Sequence, residues 1–289
     1  MILLFNPRAT NHNPRIPNSV LQIAASIDGI YEWVIVDGNL EKDPWTVIEN
    51  YLSTGKIKYF GCTVMPGPQL KQAIPFTKKI RASYPHIKII FGGYFASNQY
   101  KVNLDSGYVD YIVNGPGDNT FPQLINAIEN NLQVDGIKNL IYKKDEQIFK
   151  TAKEELLDLD KLPALPYQKL NKFYPFQKLL PKTYLGKKTI AYHSSFGCPF
   201  TCSFCAVVPI YNARWKGKSA QGIYNDVKLL KDTYQADSIE FHDNNFFVSE
   251  KRTVEFAKLI EKENMVWWGE ARIDTMDKYK DESLAAIRK

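Results

Sequence analysis

Short apolar runs alternate with amphipathic segments along the first 135 residues. The runs that predict strands are Ile2–Asn6, Trp33–Asp37, 58–64, 87–91 and 108–113. Between the first two, Val20, Leu21, Ala24 and Ile27 recur at the spacing of one helix face. Strands that alternate with helices favour a parallel sheet with right-handed crossovers.

Five such units predict an α/β domain of the flavodoxin or Rossmann type, a doubly wound parallel sheet over residues 1–135. Ligands of such sheets bind beyond the carboxyl ends of the strands. Glycines follow several predicted strands, at Gly38, at Gly92 and Gly93, and at Gly115 and Gly117. Glycine there allows a positive φ or a close approach of the backbone to a ligand, although any α/β turn uses glycine as well.

The pattern changes over residues 136–188. Two short runs around Lys144, Asp145 and Glu146 predict a hairpin, and the prolines of 162–167 predict an extended linker. From residue 189 the alternation resumes, with predicted strands at 189–195, 238–242 and 266–272. Helices are predicted from Ser219, a capping residue, to Tyr234, and at 250–263 and 278–288.

Composition narrows the class of protein. The chain is 44% hydrophobic and 24% charged, which is typical of a globular protein and not of a disordered one. The net charge of +6 is spread out, and its densest stretch, 214–218, is predicted to be a solvated loop, so we do not predict a nucleic-acid partner. No apolar run approaches the about 20 residues of a membrane span, and residues 1–5 are too short for a signal peptide, so we predict a cytoplasmic protein.

Three cysteines, Cys198, Cys202 and Cys205, lie within eight residues after a predicted strand. Thiolates ligate iron–sulfur clusters and structural zinc, and three of them on a four-iron cluster would leave one iron open. A Cys3His zinc site that includes His193, in a non-catalytic binding protein, is the alternative. Cys62 is distant in sequence and is interpreted as a small buried side chain.

The Cys-x-x-x-Cys-x-x-Cys spacing, with Phe204 before the last cysteine, resembles the signature of radical S-adenosylmethionine (SAM) enzymes. The resemblance implies a 4Fe-4S cluster on the three cysteines, SAM on the open iron, a flavodoxin- or ferredoxin-type electron donor and a small-molecule substrate. It also implies that residues 189–289 form the first half of a partial (βα)6 barrel. By the same resemblance, the SAM contacts would be Phe204, Asp243, Asn244 and Arg272.

The order of the two halves resembles the radical SAM proteins that carry an N-terminal cobalamin-binding domain, a group that includes the anaerobic Mg-protoporphyrin monomethyl ester cyclases. The family's Gly-Glu-Gly-Glu stretch is Gly115-Pro-Gly-Asp118 here, a partial match. The implied cobalamin contacts are Thr63, Gly92, Gly93, Gly115 and Gly117. The Asp-x-His-x-x-Gly motif that supplies an axial histidine is absent from the sequence, and a domain of this fold without cobalamin is the alternative.

The resemblance implies a radical SAM enzyme that forms a 5′-deoxyadenosyl radical, for cobalamin-assisted methylation or for oxidative cyclisation or rearrangement. The sequence leaves this choice and the substrate open. Three βα units follow residue 189 where the family has six, so we expect the chain to stop part-way through the barrel and to be incomplete for catalysis. The strand edge at 266–268 would then be open and favour association.

Overall fold

The computed structural model describes residues 1–288 and divides them into two compact units that alternate along the chain. The first unit takes Met1–His12, Ser19–Glu155 and Pro163–Phe173, and the second takes Asn13–Asn18, Leu156–Leu162 and the chain from Tyr174 onward. The segment predicted as hairpin and linker, 136–188, is thus divided between the two units. The domain boundaries at 135 and 188 stay a prediction.

The first unit is built on a seven-stranded sheet of order β2-β1-β3-β4-β5-β6-β7. Its strands are β1 (Ile2–Asn6), β2 (Trp33–Asp37), β3 (Tyr59–Thr63), β4 (Lys88–Gly92), β5 (Tyr111–Val113), β6 (Leu140–Lys144) and β7 (Gln147–Lys150). The first five pair in parallel, as the alternating pattern predicts, and β6 and β7 extend the sheet antiparallel. The order 2-1-3-4-5 is that of flavodoxin-like sheets.

Helices lie between the parallel strands, and two further helices follow the last parallel strand. They are α1 (Asn18–Ile27), α2 (Pro44–Ser53), α3 (Leu70–Ser83), α4 (Gly93–Asn98), α5 (Tyr100–Asp105), α6 (Thr120–Glu129) and α7 (Tyr167–Phe173). Every residue of β1 and β2 is buried, which explains why these strands are continuous apolar runs without alternation. Phe5, Phe60 and Phe91 are fully buried on the central strands, and each contributes about 2–3 kcal/mol through burial.

The second unit contains a three-stranded parallel sheet of order β12-β11-β8 and a two-stranded antiparallel ribbon of β9 and β10. Its strands are β8 (Thr189–Tyr192), β9 (Ser195–Gly197), β10 (Trp215–Gly217), β11 (Ser238–Phe241) and β12 (Val266–Gly269). Its helices are α8 (Val208–Tyr211), α9 (Ala220–Tyr234), α10 (Glu250–Ile260), α11 (Ile273–Met276) and α12 (Asp281–Arg288). Ser219 caps α9 as predicted, since its hydroxyl accepts from Gly222 N at 3.0 Å.

The local differences from the prediction that bear on the cysteine loop and its surroundings are these. The strand predicted at 189–195 stops at Tyr192, because Ser194 N turns toward the carboxylate of Asp243, and pairing restarts in β9. The stretch 214–218 is not a solvated loop, since its centre is β10, paired with β9. The strand predicted to reach Arg272 ends at Gly269, where its pairing with β11 ends.

On the outer strand β12, Val266 and Trp268 are 53% and 41% exposed, as expected for a strand at the edge of a sheet. Trp267 instead packs against Phe241, Phe246 and Phe256, with ring centroids 5.4–6.0 Å apart. Within residues 1–288, no helix combines the length and the apolar character that crossing a bilayer requires.

Candidate functional site

The three cysteines lie on one loop that begins where β9 ends. Gly197 closes β9 with φ +75°, and a Cβ at this position would lie 2.2 Å from Arg214 O, so the turn into Cys198 requires glycine. Cys205 N donates to Cys202 O at 3.1 Å, which folds the loop into a turn before α8. All three cysteines are partly buried, and their role as ligands stays a prediction.

The thiols lie close enough to influence one another. Partial burial raises the pKa of the Cys198 thiol, the thiolates of Cys205 and Cys202 raise it further, and the charge of Arg272 opposes them. Among residues 1–288, no three His, Cys, Asp or Glu side chains converge tightly enough to hold a single metal ion. Neither the three cysteines alone nor the Cys3His set with His193 therefore forms a single-ion site among these residues. A four-iron cluster spreads its thiolates over separate irons, and a set of three thiols on one loop suits that chemistry.

Asp243 follows β11 and is almost completely buried, with 1% of its surface exposed. Its carboxylate accepts hydrogen bonds from Ser194 N and Ser194 Oγ, at 3.0–3.2 Å, and from Ser195 Oγ. These serines lead directly into the cysteine loop. The structure thus gives Asp243 protein partners at the start of β9, the strand before the loop, and its contact with SAM stays a prediction.

Arg252 is a residue of this site that the sequence reasoning missed. It lies on α10, is 7% exposed, and its Nη1 donates to Ser194 O and Ser194 Oγ at 3.2 Å and to Lys218 O at 3.3 Å. Its Nη2 donates to Phe246 O at 2.9 Å. Burial lowers the pKa of the Arg252 guanidinium, and the Asp243 carboxylate raises it. The signal was available, because Arg252 precedes Phe256 and Ile260 at four-residue spacing on the buried face of α10.

The other predicted SAM contacts differ in their surroundings. The Phe204 side chain is 91% exposed beside the cysteines. Arg272 lies after β12 at the start of α11, and its Nη1 donates to Cys202 Sγ at 2.7 Å. Asn244 follows Asp243 and is half-buried. Arg272 is thus placed at the cysteine loop, while the SAM roles of all these residues stay predictions.

The predicted cobalamin residues lie at the carboxyl ends of three neighbouring strands. Thr63 and Gly92 pair in register at the ends of β3 and β4, and Gly115 follows β5 with φ +125°. Two of the glycines have packing reasons. A Cβ on Gly93 (φ +89°) would lie 2.8 Å from Val64 O, and a Cβ on Gly117 would lie 2.6 Å from Ile23 Cδ1.

A Cβ on Gly92 would instead meet no atom within 4 Å, so this strand end is open for the approach of a ligand. At the neighbouring ends of β1 and β2, the chain's own side chains fill the edge. Asn6 donates to the buried Asp37 at 3.2 Å, and Gln69 donates to Asn6 at 3.3 Å. The open part of this edge is therefore at β3 and β4.

Two cavities of the first unit contain none of the predicted site residues in their lining. One, of about 140 Å³, is lined by Thr120, Gln123, Gly136, Lys138 and Glu154. The other, of about 340 Å³, is lined by Tyr100, Lys101, Asp105, Glu146, Ile148 and Lys150. Neither cavity is therefore a candidate site for the cluster, SAM or cobalamin.

Asp118, in the loop after β5, gives the first unit a pH-dependent stability. Burial raises the pKa of this carboxyl to about 6, although Gln22 donates to it at 2.7 Å. The folded chain therefore binds a proton that the unfolded chain has released between pH 3.8 and 6, and the free energy of unfolding falls as pH rises through this window. The loss for a shift of this size is about 2–3 kcal/mol.

Asp118→Asn keeps an oxygen acceptor for Gln22 and removes the buried charge. We expect its stability to match the wild type near pH 4 and to exceed it by about 2 kcal/mol at pH 7, measured by urea unfolding across this range. Profiles of the two proteins that run parallel from pH 4 to 7 would contradict this assignment.

No known family profile matches the chain. An uncharacterised methyltransferase of Pyrococcus horikoshii is 27% identical over 172 residues, which are 58% of this chain and 36% of that protein. The anaerobic magnesium-protoporphyrin IX monomethyl ester cyclase of Synechocystis is 26% identical over 191 residues, which are 64% of this chain and 36% of the cyclase. The chain thus spans about a third of the length of these relatives.

Two solved structures match the fold of this chain over nearly its whole length. OxsB, a cobalamin-dependent SAM radical enzyme with aqua-cobalamin and SAM bound, matches 97% of this chain with a TM-score of 0.77 at 15% identity, over 40% of its own length. The radical SAM methyltransferase TsrM of Kitasatospora setae, with cobalamin and a [4Fe-4S] cluster bound, matches 99% with a TM-score of 0.75 at 17% identity, over 56% of its length. At these identities the likeness establishes the fold. In sequence and in fold, the chain resembles the anaerobic porphyrin-ester cyclases and cobalamin-dependent radical SAM proteins, which confirms the resemblance predicted from its cysteine motif.

Proposed function

We propose that the chain binds a 4Fe-4S cluster through Cys198, Cys202 and Cys205 and uses it to cleave SAM reductively. The observation that carries the proposal is the single loop after β9 that holds three partly buried cysteines. When bound, the cluster supplies the electron that breaks a carbon–sulfur bond of SAM and releases a 5′-deoxyadenosyl radical. The similarity to methyltransferases and to the cyclase supports an enzyme of this class.

The chain's own residues would hold the reactants. Gly197 sets the direction of the cysteine loop, and the carboxylate of Asp243 holds the start of β9, the strand before the loop, through two serines. Phe204, whose side chain is exposed, would cover the adenine side of SAM, and Asn244 would be a polar neighbour for its amino group. Because the carboxylate of Asp243 already accepts from Ser194 and Ser195, any bond from SAM to Asp243 would be additional to these.

The surrounding fold supports the same proposal. The strands β8, β11 and β12 pair in sequence order and in parallel, with α9 and α10 between them. We interpret them as the first three units of the partial (βα)6 barrel, preceded by a cobalamin-binding-type domain at 1–135 and a linker at 136–188.

Cobalamin is the second cofactor of the proposal. The open strand end at Gly92, with Thr63 beside it in register, is where the corrin would approach, and Gly93, Gly115 and Gly117 would shape the adjacent loops. Relatives of both reaction types match the chain, so methylation and oxidative cyclisation are both retained. A low-potential flavodoxin or ferredoxin, a small-molecule substrate and a cytoplasmic location complete the proposal.

The test is anaerobic reconstitution with iron and sulfide, followed by electron paramagnetic resonance of the dithionite-reduced protein with and without SAM. We expect a reduced-cluster signal that changes when SAM is added, because SAM would occupy the open iron. A second sample, passed over a desalting column after incubation with hydroxocobalamin, should keep the colour of the corrin. A colourless chain that takes up one zinc and no iron would overturn the proposal and return the zinc alternative.

A further inference from the structure

The guanidinium of Arg272 is held by three groups of the second unit. Its Nε and Nη2 donate to the two carboxylate oxygens of Asp274, at 2.9 and 2.7 Å. The guanidinium carbon lies 4.1 Å from the ring centroid of Phe200, a residue of the cysteine loop. The remaining nitrogen, Nη1, donates to Cys202 Sγ at 2.7 Å.

This arrangement occupies the Nε–Nη2 edge of the guanidinium and directs one N–H of Nη1 at the cysteine loop. A carboxylate is matched best by a two-nitrogen edge of arginine, and Asp274 occupies that edge here. The carboxylate of SAM would have to displace Asp274 to gain the Nε–Nη2 edge. Nη1, which does not bind Asp274, donates to the thiol of Cys202. The guanidinium also stacks on Phe200, which lies on the same loop as Cys202.

We propose that Arg272 is a positioning residue for the Cys202 thiolate, which it orients and whose charge it balances, and that it thereby raises the reduction potential of the cluster. Asp274 orients Arg272 and partly offsets its charge. This inference rests on the proposed function, since it concerns the cluster that the cysteines would hold. It replaces the predicted contact of Arg272 with SAM.

The physical basis is charge. One-electron reduction makes the cluster more negative, so a cation and an N–H donor at a ligating sulfur stabilise the reduced form more than the oxidised form. The Arg272 side chain is 35% exposed, and solvent weakens the effect without removing it. The neighbouring carboxylate of Asp274 lowers the reduction potential, because its negative charge disfavours the reduced form.

The experiment is a redox titration of the reconstituted chain without SAM, followed by electron paramagnetic resonance, with equilibrium binding of SAM measured in parallel. We expect Arg272→Gln to shift the midpoint potential to more negative values and Asp274→Asn to shift it to more positive values. Arg272→Lys keeps the positive charge but loses the planar guanidinium. Its midpoint potential should lie between those of Arg272→Gln and the wild type. The dissociation constant of SAM should stay within about twofold in Arg272→Gln, because no SAM contact is lost.

The outcomes separate the two proposals. A wild-type chain that takes up no cluster overturns the proposed function and this inference together. A loaded Arg272→Gln variant with the wild-type potential overturns the inference alone. If that variant also binds SAM more than tenfold more weakly, the contact of Arg272 with SAM is restored.

Discussion

Replacing Cys198, Cys202 or Cys205 by Ala, one at a time, is expected to abolish cluster binding. Each thiolate would ligate a different iron, and a site with two remaining protein ligands does not hold a four-iron cluster against exchange with solvent. After anaerobic reconstitution and desalting, iron should fall from about four per chain to near zero, with loss of the brown absorption.

Cys62→Ala is the matched control, because it removes one thiol from the other unit. Cys62 is buried on β3, and burial raises its thiol pKa well above the ordinary value, which makes it a poor ligand. This variant should retain the full iron content. Iron that persists in any of the three loop variants, or that disappears in Cys62→Ala, would contradict the ligand assignment.

Asp243→Ala is expected to destabilise the second unit by about 3–5 kcal/mol, the usual cost of leaving a buried charged partner uncompensated. The substitution removes the acceptor of Ser194 N and of two hydroxyls, and it leaves the buried guanidinium of Arg252 without its negative neighbour. Urea unfolding, monitored by hydrogen exchange of peptides from residues 189–260, measures the loss in the free energy of unfolding.

Asp243→Asn is the graded control, since it keeps the shape and one acceptor while it removes the charge. It should lower the free energy of unfolding by less than the alanine variant does. Combined with Arg252→Met, it should cost less than the sum of the single changes, because the two charges share Ser194. Additive losses would show that the carboxylate and the guanidinium act independently.

The sequence predicted those elements whose information is local. The strand β1 is five consecutive buried apolar or amide residues, and its bounds agree with the prediction. The cysteine loop could be recognised because its three thiols lie within eight residues. The helix from Ser219 could be placed because its capping residue and its apolar face both lie in one short window.

Contacts between distant positions could not be predicted. Asp243 and Arg252 form hydrogen bonds with Ser194, which lies 49 and 58 residues away in the sequence. Because these separations are long, neither contact produces a periodic pattern in the sequence. The strand β10 was missed because it has three residues, Trp215, Lys216 and Gly217, too few to show an alternating pattern. Gly93 and Gly117 were assigned to a ligand, and the structure gives them close backbone or side-chain neighbours that sequence spacing does not reveal.

The network around Ser194 has a consequence for the assembly of the holoprotein. The carboxylate of Asp243 and the guanidinium of Arg252 hold Ser194, at the start of the β9 stem that leads into the cysteine loop, through contacts made within the protein. The conformational entropy of this stem is therefore lost during folding and not during metal insertion. If the cysteine loop binds the proposed cluster, a chain that has lost it to oxygen would keep this stem folded, and we expect iron, sulfide and reductant to restore the cluster without refolding.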